Sequence, residues 1–495
     1  MNASFYHQLE TSLSSEPDRV SLTIASNALT GAELLAAVGH RTAALVAAGV
    51  TPGDRVIVQA EKSLELVLLY LATLRIGAVY VPLNTGYRHA EIAYFVGDAE
   101  PRLFVCDPAD ASAHAPMLAA AGAVLLTMDA DGAGSFANSV TAATAPAVAR
   151  DADDLAAIVY TSGTTGLSKG AMITHGNLLA NAEALIATWQ ITAADTLLHA
   201  LPLYHIHGLF IALNTLLLAG GRIDMLAGFD AGQVLDRLGS ASLFMGVPTY
   251  YTRLLADPRL TPAIAAPVRL FICGSAPLTP QTFEAFQART GHAIVERYGM
   301  SECGIICSNP VDGPRLAGSV GTPLPGVEVR IADGAATGVL EVWGPSVFAG
   351  YWRQPEKTAA EFRPDGFFIT GDLATIDENG VVRIVGREKD MIICGGLNVY
   401  PKEIEELIDA LPGVAEAAVI GLPHPDFGEA VCAVVRLDPA QPAIDPAAII
   451  AALKTELAGF KVPKAVFIVD ELPRNAMAKV QKAVLRDRYA RHFEA

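Results

Sequence analysis

Positive charge is scarce in this sequence: 52 acidic residues outnumber 35 basic ones, and the formal net charge is -17. A surface of that sign disfavours nucleic acid and anionic membranes as partners. An anionic ligand would have to be bound by arginine and lysine side chains that are concentrated at one site. The individual arginines and lysines of this chain are therefore more informative than those of a basic protein.

Signals for metal sites, disulfides and membranes are also missing. The six cysteines form no C-x-x-C pair and have no histidine at a metal-ligand spacing. This disfavours a zinc site or a disulfide framework and favours a reducing compartment. Apolar runs such as 213–219 end well short of the roughly 18 residues that a membrane span requires. The first residues show no basic stretch followed by an apolar one, so we expect no secretory signal. We expect a cytoplasmic protein, and nothing indicates an obligate protein partner.

The first part of the chain has the pattern of a large α/β domain. With 495 residues, the chain is too long for one compact core, so two or more domains are expected. Short apolar segments alternate with helix-length segments, which is the βαβ pattern. The predicted strands are 55–59, 78–82, 103–107, 123–128, 155–161, 197–201, 243–247 and 269–273, with helices over 34–48 and 63–76.

From about Gly318 the pattern changes to short strands separated by glycine and proline turns, which predicts a β-rich subdomain up to Asp390. The residues after it predict a small α+β unit. We therefore predict an N-terminal domain over 1–390, with the subdomain at about 318–390, and a C-terminal domain over 391–495. The predicted elements are strands 327–331, 338–343, 367–370, 381–385, 414–421 and 430–437 and helices 402–411 and 447–457.

A loop rich in glycine and hydroxyl groups follows the predicted strand 155–161. It reads Tyr160-Thr-Ser-Gly-Thr-Thr-Gly-Leu-Ser-Lys-Gly170. Glycines let backbone N–H groups approach phosphate oxygens, hydroxyls donate further hydrogen bonds, and the lysine adds charge. An ordinary surface loop is the alternative. A Walker A loop is not, because Ser168 precedes the lysine and Gly170 follows it. The candidate phosphate ligands are Thr161, Ser162, Gly163, Thr164, Thr165, Gly166 and Lys169.

This loop resembles the signature of adenylate-forming enzymes, the superfamily of acyl-CoA synthetases, luciferases and peptide-synthetase adenylation domains. Further segments resemble that superfamily in the same order, from about residue 30 to the end. They are Leu201-Pro-Leu-Tyr-His-Ile-His-Gly208, Cys273-Gly-Ser-Ala-Pro277, Glu296-Arg-Tyr-Gly-Met-Ser-Glu302, Thr370-Gly-Asp372, Gly386-Arg-Glu-Lys-Asp390 and Leu472-Pro-Arg-Asn-Ala-Met-Ala-Lys479.

The resemblance implies a nucleotide site for ATP and Mg²⁺. Tyr298 would stack on adenine, Glu302 and Thr165 would hold Mg²⁺, and a carboxylate at 372 would accept from the ribose hydroxyls. The nucleotide-binding residues that it implies, besides the loop, are Gly274, Ser275, Ala276, Glu296, Arg297, Tyr298, Gly299, Met300, Ser301, Asp372 and Arg387.

The resemblance also implies a two-step ligation. A carboxylate attacks the α-phosphorus of ATP, and coenzyme A then attacks the acyl carbon. The implied catalytic residues are Lys479, Glu302, Thr165 and His205. The C-terminal domain would rotate about the hinge residue Asp390 between the steps, with Gly395, Gly396 and Leu397 at the coenzyme A tunnel. Ala478 stands where relatives have glycine, and a positive φ there would cost about 1 kcal/mol.

The acid is indicated by Arg297, which stands where most relatives have an uncharged residue. Together with Arg253 and Ser275 it resembles the malonyl-CoA synthetases, which implies that malonate's distal carboxylate is bound here. The remaining implied pocket residues are His205, Ile206, His207 and Ile305. Residues 303–306 and Ile206 depart from that pattern, which leaves methylmalonate or another small diacid open.

Three alternatives remain at this stage. Either arginine could pair with a neighbouring acid such as Glu296. The chain could ligate a short-chain or aromatic monocarboxylate instead. A catalytically silent regulator of this fold would be expected to lose Lys479, Glu302 or Asp372, and all three are present.

Overall fold

The computed structural model describes residues 3–161, 168–395, 397–474 and 479–493. The chain forms two compact units, the first made of Met1–Glu328 and Val342–Phe368, the second of Val329–Glu341 and Ile369–Ala495. The predicted β-rich subdomain is thus divided between the units: 329–341 and 369–390 cluster with the C-terminal residues, and 318–328 and 342–368 with the first unit. The functional boundary at Asp390, which rests on its role as a hinge, stays a prediction. Within the described ranges, no helix is both long and apolar enough to cross a membrane.

The first unit begins with a largely parallel sheet in the order β6-β5-β3-β4-β7-β8, in which only the β7–β8 pair is antiparallel among its recorded pairings. Its central strands are buried apolar runs, as expected for a parallel sheet covered on both faces. The elements up to this point are α1 Phe5–Ser15, β1 Val20–Ile24, β2 Asn27–Thr30, α2 Gly31–Ala47, β3 Arg55–Gln59, α3 Leu64–Arg75, β4 Val79–Pro82, α4 His89–Ala99, β5 Leu103–Cys106, α5 Ala111–Ala120, β6 Val124–Thr127, α6 Ser135–Ser139, β7 Leu155–Thr161 and β8 Lys169–Thr174.

A second sheet of this unit runs in the order β15-β14-β13-β12-β11-β9-β10-β1-β2 and is parallel from β1 to β13. A π-helix, His207–Asn214, follows β9. The other elements are α7 His175–Trp189, β9 Thr196–His199, α8 Thr215–Leu218, β10 Arg222–Met225, α9 Ala231–Leu238, β11 Leu243–Gly246, α10 Pro248–Ala256, α11 Pro262–Ala265, β12 Leu270–Cys273, α12 Pro280–Thr290, β13 Val295–Met300, β14 Gly304–Ser308 and β15 Thr322–Pro323.

Aromatic packing fixes the helices that flank this second sheet. The rings of Tyr251 and Phe271 each contact Phe286 edge-on, with centroids 5.2 Å and 4.9 Å apart. The Tyr251 hydroxyl donates to the Ile272 carbonyl at 2.7 Å. All of these side chains are buried, and together they hold α10 and α12 against β12. The segments that follow β12 and β13 therefore start from a rigid base.

The second unit contains most of a four-stranded sheet and a five-stranded sheet. The strands β16-β17-β18-β19 are neighbours in that order, and the sheet β21-β20-β23-β22 has β24 beside β23. The elements are β16 Glu328–Ile331, β17 Gly338–Trp343, β18 Phe368–Ile376, β19 Val382–Arg387, β20 Ile392–Cys394, β21 Leu397–Val399, α14 Pro401–Asp409, β22 Val414–His424, β23 Gly428–Leu437, α15 Pro446–Glu456, β24 Ala465–Val469 and α16 Lys482–Tyr489, while α13 Pro355–Ala360 belongs to the first unit.

Candidate active site

The carboxyl ends of β9, β12 and β13 bring the predicted acyl-pocket residues of the first unit together. Open parallel sheets bind ligands at this edge, because the loops there converge. His207 follows β9, Ser275 follows β12, and Arg297 lies in β13. The Ser275 hydroxyl lies 3.2 Å from Nδ1 of His207, although the two residues are 68 positions apart.

Arg297 is a buried cation. Its side chain is packed against the backbone of Gly274, where an added Cβ would come within 2.5 Å of the guanidinium carbon. Only 4% of Arg297 is exposed, and in the part of the chain that the structure describes its Nε and Nη2 have no hydrogen-bond partner. Burial lowers the pKa of Arg297 to about 10, so it stays charged at neutral pH. A buried, unpaired charge is costly to maintain, and a bound anion would remove that cost.

The surface ion pair between Arg297 and Glu296 that the sequence left open is not formed. Both side chains are buried, and Oε1 of Glu296 accepts from the Leu278 amide at 3.2 Å. In an extended strand, consecutive side chains point to opposite faces. Glu296 therefore serves the loop after β12, and Arg297 is left for another partner.

His207 is held as a neutral side chain beside this arginine. Burial lowers its pKa well below the ordinary value, and Arg297 and His205 lower it further. Its backbone amide donates to Nδ1 of His205 at 3.2 Å. Since a serine hydroxyl can donate to Nδ1, Nε2 carries the proton in that arrangement, and it has no partner among the described residues. The cluster thus offers a cation and an N–H donor.

The other predicted pocket residues differ in burial and backbone conformation. Ile206 and Ile305 are both buried. Ser275 has φ +71°, which is uncommon for a residue with a side chain and stores backbone strain. Arg253, in contrast, is exposed on α10. Its predicted contact with the acid stays a prediction.

Glu302 is the centre of a second cluster, which lies where β7 ends and β8 begins. Its Oε1 accepts from the Thr161 hydroxyl at 3.3 Å and lies 3.2 Å from the Tyr351 hydroxyl. The Tyr351 hydroxyl is closer to Oε2 of Glu361, at 2.7 Å, and has one proton to donate. Burial raises the pKa of Glu302, so a nearby cation would favour its ionised form.

Lys169, the predicted phosphate ligand, already has an anionic partner. It donates to Glu361 at 2.9 Å, and its ammonium lies 4.7 Å from the centre of the Tyr351 ring. Neither Tyr351 nor Glu361 was predicted as a site residue. Nothing in a single tyrosine or glutamate far along the chain signals that it closes a network around a glycine-rich loop.

The residues present fit a magnesium ion shared with phosphates. Across the described ranges, no group of three or more His, Cys, Asp or Glu gathers into a metal cage. Magnesium in nucleotide sites is held by one or two carboxylates with the rest of its shell from phosphate and water, so a single buried Glu302 suits it. The second predicted ligand, Thr165, lies outside the described residues, as do Ser162, Gly163, Thr164 and Gly166.

The predicted adenine segment forms a hairpin between β13 and β14. Gly299 has no room for a side chain, since an added Cβ would lie 2.1 Å from the Gly304 carbonyl. The Asn181 side chain bonds both the amide and the carbonyl of Ile305, at 3.1 Å and 2.9 Å. This clamp from α7, which the sequence did not suggest, fixes the hairpin that carries Tyr298, Met300 and Ser301.

In the second unit, the predicted ribose ligands face each other across β18 and β19. Asp372 is the register partner of Arg387, and their charged groups lie 3.1 Å apart. Asp372 is buried whereas half of the Arg387 side chain is exposed. Asp372 and Arg387 are 15 positions apart in the sequence, and both were predicted to bind the nucleotide. The structure places them in contact.

The hinge and tunnel candidates lie in the same unit. Asp390 accepts from Arg486 at 3.0 Å. Gly395 has φ +59° and donates its amide to the Phe427 carbonyl at 2.8 Å. Leu397 is 50% exposed, and Gly396 is outside the described residues. Their functional roles stay predictions.

The loop that bears Lys479 is closed at its base. Arg474 and Val480 form an isolated antiparallel bridge, and the Gln481 amide donates to the Pro473 carbonyl at 2.8 Å. Two ion pairs flank it, Arg474 with Glu416 and Lys482 with Glu405. Ala478 is outside the described residues, so the cost of replacing glycine there is untested.

The chain is similar to known families, proteins and solved structures over most of its length. Residues 9–352 match the family described as AMP-binding enzyme, and residues 403–479 match the AMP-binding enzyme C-terminal domain. A malonate–CoA ligase of Arabidopsis thaliana is 35% identical over 486 residues, covering 90% of this chain and 80% of that protein. A feruloyl-CoA synthase of an Amycolatopsis species is 36% identical over 485 residues, covering 96% of each. The crystal structure of ATP-bound MatB from Rhodopseudomonas palustris is 50% identical, covers 100% of both chains and superimposes with a TM-score of 0.97.

Proposed function

The chain belongs to the AMP-binding enzymes, and on that premise we propose that it ligates malonate, or a closely related small dicarboxylate such as methylmalonate, to coenzyme A. The reaction consumes ATP, passes through an acyl-adenylate and releases AMP and pyrophosphate. The single observation that carries the choice of acid is Arg297, buried and without a hydrogen-bond partner at Nε and Nη2.

A dicarboxylate would provide an acceptor for the unpartnered donors of this pocket. Its distal carboxylate would accept from the guanidinium of Arg297 in the bidentate geometry that arginine favours. The unpartnered Nε2 of His207 would add a donor, because this histidine is neutral with its proton on Nε2 when Ser275 donates to Nδ1. A monocarboxylate of the same length would leave the guanidinium desolvated and unpaired, at a cost of several kcal/mol.

The first step joins the second carboxylate of the acid to the α-phosphorus of ATP, and pyrophosphate leaves. Such chemistry depends mainly on positioning and charge neutralisation. Lys169 and the Thr161 hydroxyl belong to the loop that would hold the phosphates, and Glu302 would hold Mg²⁺, which supplies charge neutralisation when bound. Glu361 would release Lys169 to the phosphates, since a polyphosphate carries more charge than one carboxylate.

The second step forms the thioester bond between the coenzyme A sulfur and the acyl carbon, and AMP leaves. We assign to Lys479 a role in the first step alone, to Asp390 the hinge, and to residues 395–397 the coenzyme A path. These assignments rest on the resemblance of the segments to those of adenylate-forming enzymes. We further propose a cytoplasmic location, supported by six cysteines that are all free and buried.

A second candidate is a ligase for an aromatic or short-chain monocarboxylate. The buried apolar residues Ile206 and Ile305, predicted for the acyl pocket, favour it, and a relative of similar identity is a feruloyl-CoA synthase. Arg297 opposes it, because an apolar acid would leave the buried charge without a partner.

The test is release of pyrophosphate with a panel of acids, with and without coenzyme A. The panel contains malonate, methylmalonate, propionate, butyrate, benzoate and ferulate. We expect malonate or methylmalonate to exceed every monocarboxylate by about 10³-fold or more in kcat/KM. Equal turnover of ferulate or butyrate would contradict the proposed acid and leave the ligase chemistry intact.

A further inference from the structure

A buried lysine outside the predicted site contacts a buried histidine. Lys62, just before α3, is 7% exposed, and its Nζ lies 2.8 Å from Nδ1 and 2.9 Å from the carbonyl oxygen of His199 at the end of β9. Within the described ranges, Lys62 forms no ion pair with a carboxylate. Burial lowers the pKa of Lys62 well below its ordinary value, because an ammonium is costly to bury without an anion. The contact with His199 therefore calls for a reason beyond packing.

The direction of the hydrogen bonds is fixed by chemistry. Nε2 of His199 lies 2.8 Å from the Gly208 carbonyl, which can only accept, so Nε2 carries the proton. Nδ1 of a neutral imidazole is then an acceptor, and Lys62 is the donor. Burial, together with the charge of Lys62, lowers the pKa of His199 to about 3, which keeps it neutral. The chain of donors therefore runs from Lys62 through His199 to the backbone at Gly208.

Gly208 is the backbone anchor of the acyl-pocket segment. An added Cβ there would lie 2.0 Å from the Pro202 carbonyl, so residues 202–208 fold closely back on themselves. The segment carries His205 and His207, and the π-helix starts at His207. His207 in turn meets Ser275 at 3.2 Å and interacts electrostatically with Arg297.

We propose that Lys62 and His199 are positioning residues for the acyl pocket, which hold Gly208 and thereby set the position of His207 beside Arg297. The proposal rests on the proposed function for the identity of the acid. Lys62 gives the buried Nδ1 of His199 a donor and is a second donor to the His199 carbonyl, which also accepts from the Leu226 amide; His199 in turn donates to the Gly208 carbonyl. Loss of either side chain would free the segment between β9 and the π-helix, and recognition of the acid would suffer before binding of ATP.

The test compares Lys62→Met and His199→Phe with a matched control, Tyr70→Phe. Tyr70 exchanges buried hydrogen bonds with Asn214, at the opposite end of the same π-helix. Its substitution therefore perturbs the same helix away from the pocket. For Lys62→Met and His199→Phe we expect the KM of the acid to rise about tenfold or more and the KM of ATP to change less than about twofold. The preference for malonate over malonamate, its neutral amide of the same size, should fall in parallel. Tyr70→Phe should lower the melting temperature and leave both KM values in place.

Equal changes in the KM values of acid and ATP, or an acid-specific defect in Tyr70→Phe, would overturn the positioning role. If Lys62→Met does not fold, His199→Phe decides, because it removes the donor to Gly208 and keeps a ring of similar size. If the wild-type enzyme prefers a monocarboxylate, the proposed acid is wrong. The same variants measured with that acid still decide whether Lys62 and His199 position the pocket.

Discussion

Arg297 in the first unit and Asp409 in the second are ionisable side chains that each have a buried polar atom without a hydrogen-bond partner among the described residues, and their protonation at neutral pH differs. Arg297 lies at the end of β13 with Nε and Nη2 unpartnered, and burial lowers its pKa only to about 10. Asp409 lies in α14 with Oδ1 unpartnered, and burial raises its pKa to about 7, with nearby glutamates adding to the shift. The arginine keeps its charge at neutral pH, whereas the aspartate can take up a proton.

This difference decides which of the two indicates a ligand. A buried carboxylic acid can remove its own charge with a proton from water, so Asp409 needs no binding partner. A guanidinium cannot lose its proton in the working pH range, so Arg297 stays charged, and a bound anion would stabilise it. We therefore connect Arg297 with substrate recognition and Asp409 with the pH dependence of stability.

The largest effect is expected for Arg297→Leu. Malonate kcat/KM should fall about 10³- to 10⁴-fold, because the distal carboxylate loses its only buried cationic partner in this cluster, while propionate turnover should be kept or rise. Arg297→Lys should recover only part, since an ammonium lacks the bidentate fork. Kinetics of pyrophosphate release would show this.

Arg253→Leu is the control for Arg297, because it removes an exposed arginine of the same first unit. A carboxylate held by an exposed arginine is screened by water, so we expect a loss of at most about tenfold. A loss as large as that of Arg297→Leu would show that Arg253 on α10 also binds the acid, which would contradict the distinction between the buried and the exposed arginine.

The second prediction concerns Lys479, a cation of the second unit that we expect to act in adenylation. Lys479→Ala should lose adenylation by about 10²-fold or more and keep thioesterification of supplied malonyl-adenylate, because charge neutralisation is needed only in the first step. The two half-reactions are measured separately. The matched control is Lys454→Ala, an exposed lysine on α15 of the same unit. Equal loss in both half-reactions would refute the separate role of Lys479.

Asp409→Asn should change how stability depends on pH. The folded-state pKa of Asp409 is raised from 3.8 to about 7, so the folded chain binds its proton more tightly than the unfolded chain. The contribution is fully present below pH 3.8 and is lost as pH rises through about 7. The unfolding free energy of the wild type relative to Asp409→Asn should therefore fall by about 3 kcal/mol between pH 4 and pH 8.

Urea unfolding at several pH values measures this difference. The charged groups around Asp409 are Glu405 and Glu406 on α14, Glu416 on β22, and the cations paired with them, Lys482, Lys402 and Arg474. Glu456→Gln, an exposed carboxylate on α15, is the control and should leave the pH dependence unchanged. A difference that stays constant over this range would show that Asp409 is ionised throughout.

The smallest effect is expected for Asp372→Asn. Its partner Arg387 is half exposed, so water replaces part of the lost contact. The KM of ATP should rise about tenfold, because an amide accepts from only one ribose hydroxyl at a time, and the preference among acids should not change. Arg387→Gln is the companion variant. A changed acid preference would show that the ribose pair and the acyl pocket are not independent.

The sequence predicted the strands well where buried apolar runs set the period. The segments 155–161 and 338–343 coincide with β7 and β17, and the other predicted strands overlap their observed counterparts. It missed β1 and β2. The parallel partner of the short strand β1 is β10, about 200 positions away, and β2 forms the sheet edge by pairing with β1. The mixed composition of the β-rich region also gave no sign that 329–341 clusters with the C-terminal residues.

The candidate site divides in the same way. Short motifs nominated Arg297, Glu302, Asp372 and Arg387, because each lies in a segment that resembles the superfamily, and their roles stay predictions. Side chains that act through distant contacts carried no such signal: Lys62 reaches His199 across 137 positions, and Tyr351 reaches Glu302 across 49. Such partners follow from tertiary packing alone.

The most direct test of the central claim compares malonate with malonamate in the wild-type enzyme. The two acids have the same size and the same reacting carboxylate, and they differ in the charge of the distal group. If Arg297 holds that group in a buried site, kcat/KM for malonate should exceed that for malonamate by about 10³-fold or more. Equal values for the two acids would contradict the account, since the buried guanidinium would then have no part in choosing the acid.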